Sequence, residues 1–339
     1  MIDIKISLPS HGKNLTFENF FSFEKNKEQR YRFHINKDIE KADFWFVFED
    51  LTSRVEYCKV PLQNVIYLNN ETSFKKNHFF SNYMIKYLNQ FSHSYGCYPV
   101  YNKNHTNTFP FLPWMIHANH GDTIYEKSEI DYTYLSKLKN VEKDIELSVI
   151  CSNKVHTENH SLRIEFLNIL REHFGEKMNW YGNGIKSIDK KSDVIFRSKY
   201  HIVLENDSKY NLMSEKLFDS YLGISYPIYY GATNINDYFD DSSLTKIDIN
   251  DINSSISRIE NVINNRSYEK NLDSLINSRD KILNNYNFYN RILKIIEEKL
   301  QNDHSKEYIN MLYSTGYFWE KFVPKKQKIK KILARKLRI

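Results

Sequence analysis

The chain has 339 residues, 41% of them hydrophobic, enough to bury two cores, with tyrosine (25) and phenylalanine (22) abundant and glycine (9) and proline (7) scarce. Its net charge of +6 is local: residues 325–339 hold eight cations and no acid, and the remainder carries 40 basic against 42 acidic residues, which argues against a body that binds nucleic acid through its phosphates. Three cysteines without a CxxC pair argue against a disulfide framework or zinc site; an amino terminus without an apolar core, and no apolar run near the ~20 residues of a spanning helix, lead us to expect a cytoplasmic protein.

In chain order, IDIKIS at 2–7 and ADFWFVF at 42–48 read as strands of a parallel sheet, and a third, 65–68, leads into NNETSF at 69–74. This first α/β domain, with a less regular stretch broken by Pro110, Pro113 and Gly121, is expected to occupy residues 1–140. His117 and His120 form an HxxH pair there without a matching acidic or cysteine ligand, so ordinary hydrogen-bonded histidines are expected rather than a metal site.

A second α/β domain, 141–324, opens with a strand at Ile145 and a helix from about Ser161, whose Leu162, Phe166, Ile169, Leu170 and Phe174 share a face. Arg163 then falls in the first turn of that helix. NWYGNG at 179–184 ends another strand. Residues 200–231 read as strand (His201 to Leu204), polar loop, helix capped by Ser214, and strand (Pro227 to Tyr230) closed by Gly231. That is a βαβ unit, whose ligands bind at the strands' carboxyl ends and the helix's amino end. Lys216 sits in the first turn, where a cation is disfavoured by roughly 0.3–1 kcal/mol unless an anion compensates it. Two cations so placed, Arg163 and Lys216, point to a bound diphosphate. Helical patterns at 254–264, 267–284 and 288–300 complete this domain, and residues 325–339 set Ile329, Ile332, Leu333 and Leu337 in one stripe among the cations, an amphipathic tail suited to an anionic membrane surface.

The LEN, SEK and PIYYG blocks, in that order and spacing, resemble the FEN, TEK and PVVLG blocks of family 10 glycosyltransferases, the α-1,3/4-fucosyltransferases. NWYGNG resembles the block that precedes FEN, and NDYFDDSSLTKIDIND at 236–251 resembles the segment after it, so the likeness runs through about 145–255. It implies an α/β, GT-B fold of two Rossmann-like domains facing a central cleft. It also implies an inverting transferase that moves L-fucose from GDP-β-L-fucose to a hydroxyl of a bacterial lipopolysaccharide-type or capsular glycan. Asn206 would contact the donor, Glu215 the ribose, and Arg163 and Lys216 the diphosphate. Leu212 stands where the family often has tyrosine, with Tyr210 as a substitute. NNETSF resembles the family's loop after the third strand, making Glu71 the candidate base, with His93, Glu49 and Asp122 as alternatives.

No metal or other cofactor is required by this reading, since Arg163, Lys216 and helix amino termini can stabilise the departing diphosphate. The expected partners are a GDP-sugar donor, an oligosaccharide or lipid-linked glycan acceptor, and the inner face of a membrane, met peripherally through residues 325–339. Two other readings stay open: transfer of another nucleotide-activated deoxy or amino sugar, and a noncatalytic glycan- or membrane-binding protein on the same fold.

Overall fold

The computed structural model describes residues 1–9, 30–69, 82–97, 104–111, 116–117, 129–139, 141–155, 158–301 and 307–325. Glu71, His120, Asp122 and all of the tail beyond Lys325 lie outside the described residues.

The first compact unit holds β1 (Ile2–Ser7), β2 (Tyr31–Ile35), β3 (Phe44–Phe48), β4 (Val55–Pro61), β5 (Val65–Leu68), α1 (Asn82–Leu88), β6 (His93–Gly96) and β7 (His105–Asn107). Six strands form a sheet in the order β2-β1-β3-β5-β6-β7, each neighbouring pair parallel. The runs FWFVF and VIYL are buried almost throughout, as strands covered on both faces must be.

One buried charge in this sheet is fully compensated. Lys5 donates to the Lys37 carbonyl (2.6 Å), pairs with Glu56 (3.3 Å) and lies over the Trp45 ring. Glu56 accepts from the Ser7 hydroxyl (2.7 Å) and the Thr52 amide (2.9 Å). A charge is tolerated in such a core only when paired and hydrogen-bonded like this.

The second unit begins at Phe109 and contains α2 (Tyr132–Lys137), β8 (Ile145–Ile150), α3 (Glu158–Phe174), β9 (Met178–Tyr181), β10 (Ser198–Leu204), α4 (Glu215–Leu222), β11 (Tyr226–Tyr230), β12 (Thr245–Lys246), α5 (Ile252–Asn264), α6 (Leu272–Lys281) and most of α7 (Phe288–Leu300). Where the sequence pattern set the change of domain near residue 140, the units divide at Phe109. The reason is Arg291 of α7: its guanidinium lies 3.6 Å from the centroids of both Phe109 and Phe111 and donates to the carbonyls of Pro110 (2.7 Å) and Phe109 (2.8 Å), fastening this segment to the second unit.

The second sheet is parallel, in the order β12-β11-β10-β8-β9. The chain runs outward from β8 to β9, then crosses back and builds the other half from β10. The strand order therefore reverses between β8 and β10, and in open α/β sheets the crevice beyond the carboxyl ends of two such strands is the ligand site.

From Glu298 the chain rejoins the first unit. β13 (Tyr308–Tyr313) pairs antiparallel with β4, and α8 (Thr315–Phe322), capped by the Ser314 side chain, packs on α1. Gln90 clasps Tyr313 twice, donating to its carbonyl (2.9 Å) and accepting from its amide (2.7 Å). The sequence pattern kept everything to residue 324 in the second domain; pairing with β4 is what returns this segment to the first.

His201, in the middle of β10, is buried, shares a 2.7 Å hydrogen bond with Ser148 Oγ, and is held neutral by burial, its pKa pushed down to about 3. The unfolded chain takes up that proton near pH ~6.5, so the stability held above this pH is lost on acidification, with a slope of up to about 1.4 kcal/mol per pH unit. Denaturant unfolding at a series of pH values is expected to show His201→Gln, which can still bond Ser148, with a flatter loss than the parent between pH ~6.5 and ~4.5. Equal slopes in the two proteins would show that His201 does not carry it.

Candidate functional site

The carboxyl end of β10 delivers Glu205, whose amide bonds the Tyr230 carbonyl (2.8 Å) and so continues the pairing with β11. The carboxylate is 2% exposed and receives both the amide (2.7 Å) and the hydroxyl (2.6 Å) of Ser214. Ser214 in turn caps α4, its oxygen accepting from the Lys216 amide (3.3 Å). One carboxylate thus ties the end of a strand to the first turn of the next helix, and burial pushes its pKa up while Lys216 opposes the shift. Gly231 makes room for it: a Cβ there would overlap Glu205 Cγ and the Tyr229 hydroxyl.

Lys216 Nζ lies 3.0 Å from Glu215 Oε1, 3.2 Å from Ser214 Oγ and 3.6 Å from Glu205 Oε2. The sequence argument required an anion beside this lysine; within the chain, Glu205 and Glu215 supply it. Burial alone would raise the Glu215 carboxyl, but Lys216 and Lys191 hold it down to about 2, so it is ionised. Burial likewise disfavours the Lys216 cation, and Glu215 and Glu205 overcome that and raise its pKa.

Arg163 differs from the expected placement. The helix begins at Glu158 rather than about Ser161, which puts Arg163 in the second turn, on the buried face with Phe166, Leu167 and Leu170. The guanidinium donates from Nη1 to the Leu204 carbonyl (3.2 Å), while its buried Nε has no hydrogen-bond partner among the described residues. Among the described residues no carboxylate pairs with it. The structure brings the two cations to the same place: both act on the Cys151 thiol at the end of β8, opposing the rise that burial causes, and Arg163 acts on Lys216 itself. Cys151 and Glu205 mark the ends of the two strands that flank the reversal of the sheet.

Asn206 follows Glu205 and is fixed by its carbonyl, which accepts from Asn159 Nδ2 (3.3 Å). Tyr210 stands 57% exposed on the loop, whereas Leu212 and Met213 are buried. The loop is pinned by a pair that sequence reasoning missed. Asn211, at a positive φ of 61°, donates its amide to Asn234 Oδ1 (2.7 Å) and accepts from Asn234 Nδ2 (2.9 Å) and from the Tyr238 hydroxyl. Asparagine is among the few side chains that tolerate this backbone region, so NL after Tyr210 was the available signal. Also missed was Lys191, which donates to Asp219 Oδ2 (2.8 Å) in a buried ion pair beneath α4. With Glu215, Lys216 and His201 this pair borders a cavity of about 40 Å³. At β9's end, Gly182 (φ 143°) lets the chain pass against the Cys151 backbone, where any Cβ would overlap.

Of the other candidate bases, Glu49 follows the carboxyl end of β3, its amide bonded to the Leu68 carbonyl (3.0 Å). His93 opens β6, at the opposite end of the same sheet, bonded to Thr106 and held down to about pKa 4 by burial. His117 is buried, and burial together with Lys191 and Lys190 holds it down to about 4. Among the described residues no three His, Cys, Asp or Glu are grouped to hold a metal ion. No described helix is long and apolar enough to cross a membrane.

No family model matches the chain, and no curated protein sequence matches it. Among solved structures it is similar to an alpha1,3-fucosyltransferase at a TM-score of 0.51 and 18% identity, over 91% of this chain and 93% of that one. An alpha1,3-fucosyltransferase with GDP gives a TM-score of 0.49 at 18% identity, over 89% and 91% of the two chains. An alpha-glucosyltransferase in complex with UDP-glucose and DNA containing an abasic site gives 0.48 at 10%, over 87% and 99%. The first likeness is one of fold: the chain has the α/β architecture of GT-B glycosyltransferases, two units each built on a parallel sheet.

Truncating Glu205 to alanine strands the Ser214 amide and hydroxyl in a buried site, which costs about 2–4 kcal/mol of folding stability. Glu205→Gln keeps an acceptor for one of them and is expected to cost less than half as much. Urea titrations of the three proteins check this order, and equal midpoints would remove Glu205 from its structural role.

Proposed function

We propose that the chain is an inverting glycosyltransferase whose second unit binds a nucleoside-diphosphate sugar where its sheet reverses. The observation that carries this is Arg163: a buried guanidinium with an unpartnered Nε and no carboxylate partner among the described residues, beside the amino end of α4. A buried cation without an anion is costly, and a diphosphate supplies one with the planar, two-oxygen geometry that a guanidinium fits. Lys216 is the second cation for the phosphates. Glu215, ionised, can accept from sugar hydroxyls such as those of a ribose, and Asn206 adds a donor and an acceptor at the rim.

In this reading the donor's anomeric carbon loses its diphosphate while an acceptor hydroxyl attacks from the opposite side. Arg163, Lys216 and the α4 amides meet the charge that grows on the leaving group without reorganising, so the departure needs no metal ion. Glu71, which follows β5 in the sequence, is the carboxylate assigned to take the hydroxyl proton. L-fucose from GDP-β-L-fucose is the donor sugar best supported, because the LEN, SEK and PIYYG blocks fall on the elements just described and the fold is one that an alpha1,3-fucosyltransferase adopts. The acceptor is a bacterial surface glycan, and residues 325–339 hold the enzyme at the inner membrane face.

Calorimetric titration with GDP, UDP and CMP tests the reading directly. The parent protein is expected to bind GDP in preference to the other two, and Lys216→Ala to weaken that binding about tenfold or more, the loss of one charge-assisted contact. Absence of binding by all three nucleotides would sink the transferase reading. Glu71→Gln is expected to leave GDP affinity unchanged while lowering transfer from GDP-fucose about 100–10,000-fold; unaltered turnover would move the base to another residue.

A further inference from the structure

Strand β4 alternates: Glu56, Cys58 and Val60 face the core, while Tyr57 is 64% exposed and Lys59 points outward with it. β13 answers on the same outer face. Met311 stands opposite Tyr57 and Tyr313 opposite Val55, with an irregularity between Ile309 and Met311 that shifts the strand's register. Tyr308, 49% exposed, lies under the Lys59 ammonium at 5.0 Å, and Met311 is 37% exposed, its sulfur accepting from the Tyr313 hydroxyl (3.1 Å).

The aromatic line does not stop at the ribbon. Tyr313 stacks on Tyr317 of α8 at 4.4 Å, and Tyr317 carries the cations of Arg54 (5.5 Å) and Lys321 (5.7 Å). Further along α8, Phe322 is 40% exposed, with the Lys86 ammonium 4.0 Å from its ring centroid. Two residues after α8 comes Pro324, and from Lys325 the sequence holds eight cations and no acid.

We propose that this outer face of the β4–β13 ribbon and α8 is a docking surface for an anionic lipid membrane. Exposed Tyr57, Tyr308 and Phe322, the last two with an ammonium over the ring, and half-buried Tyr317 with Arg54 and Lys321 over it are the chemistry of a headgroup layer: ammonium and guanidinium groups meet lipid phosphates while rings and a thioether settle at the acyl boundary. The face itself carries both signs: Glu320 is paired with Arg54 and Glu56 is buried against Lys5, while Asp38 and Glu40 line a groove with Tyr57 and Lys59, and Glu307 precedes Tyr308. The excess of cation comes from the sequence that follows Pro324. The basic tail alone would give attraction that salt screens; the rings add apolar insertion that salt does not.

Flotation of the full-length chain with phosphatidylcholine vesicles, with and without phosphatidylglycerol, tests this without reference to any sugar or nucleotide. The parent protein is expected to bind the anionic vesicles and to keep part of that binding at raised salt. The triple variant Tyr57→Ser, Tyr308→Ser, Met311→Ser, its fold checked by circular dichroism, is expected to bind about tenfold or more weakly at the same salt, having lost three apolar side chains from the interface. Equal binding by the two proteins overturns the proposal and leaves the tail as the anchor; no binding by the parent overturns it outright. Self-association of the parent, abolished in the variant, would assign the face to a second copy instead. Tyr57→Trp supplies a readout that does not depend on the triple variant folding. Vesicles of brominated lipid should quench its added fluorescence, and bound protein whose added tryptophan is not quenched would place the face away from the bilayer.

Discussion

The candidate site depends on a buried carboxylate. Glu205 is where β10 ends, where Ser214 is held, and where Lys216 finds part of its counter-charge. Its burial would be costly alone, yet the amide and hydroxyl of a helix cap and a nearby ammonium satisfy it, so the cost is offset by order in three elements at once. Because both oxygens are engaged, the first turn of α4 cannot slide along the sheet without breaking two short hydrogen bonds. The amino end of that helix is therefore preorganised before any ligand arrives, which is what stabilisation of a developing negative charge requires.

Arg163 is the counterpart on α3, the helix that follows the other strand of the reversal, β8. Its environment is asymmetric: apolar packing on the α3 face, one carbonyl from β10, and an unused Nε. Lys216 is paired with two carboxylates, whereas Arg163 has none among the described residues, so Arg163 is the cation left to meet whatever anion enters. The surrounding second unit is arranged to keep the amino end of α4 fixed. Asn211 and Asn234 lock the loop between β10 and α4, and Lys143, donating to the Gly223 carbonyl (2.7 Å), caps the far end of α4.

Much of this was legible in the sequence, and the reasons for success and failure are physical. Apolar runs bounded by polar residues marked β3, β5, β8 and β10, because parallel strands covered on both faces need such runs. Ser214 marked the start of α4 because a serine before an apolar periodicity has a backbone amide to cap. The start of α3 was placed late, since Glu158, Asn159 and His160 belong to its first turn but contribute no apolar residue to the periodicity. Arg163 was consequently read as a cation at a helix end when it lies on a buried face. The clamp of Arg291 on Phe109 and Phe111, the Asn211–Asn234 pair, and the pairing of β13 with β4 were not legible, because each joins residues far apart in sequence and nothing local encodes the partner. Glu71, the assigned base, lies outside the described residues and rests on its place after β5.

The return of residues 308–322 to the first unit sets an order of assembly during synthesis. The second unit is continuous over its strands and helices from Phe109 to Glu297, so its contacts can close as soon as that stretch has left the ribosome. The first unit cannot: β4 waits for β13, and Gln90 waits for Tyr313, 223 residues later. Until then β4 has an unpaired edge, and part of the apolar core that α8 covers, including Tyr87, stands open to water. Closing so long a loop adds little to the equilibrium cost, since that cost grows only logarithmically with length, but it delays completion of the core. The half of the chain made first is thus the half finished last, and it is the half on which chaperones would be expected to act.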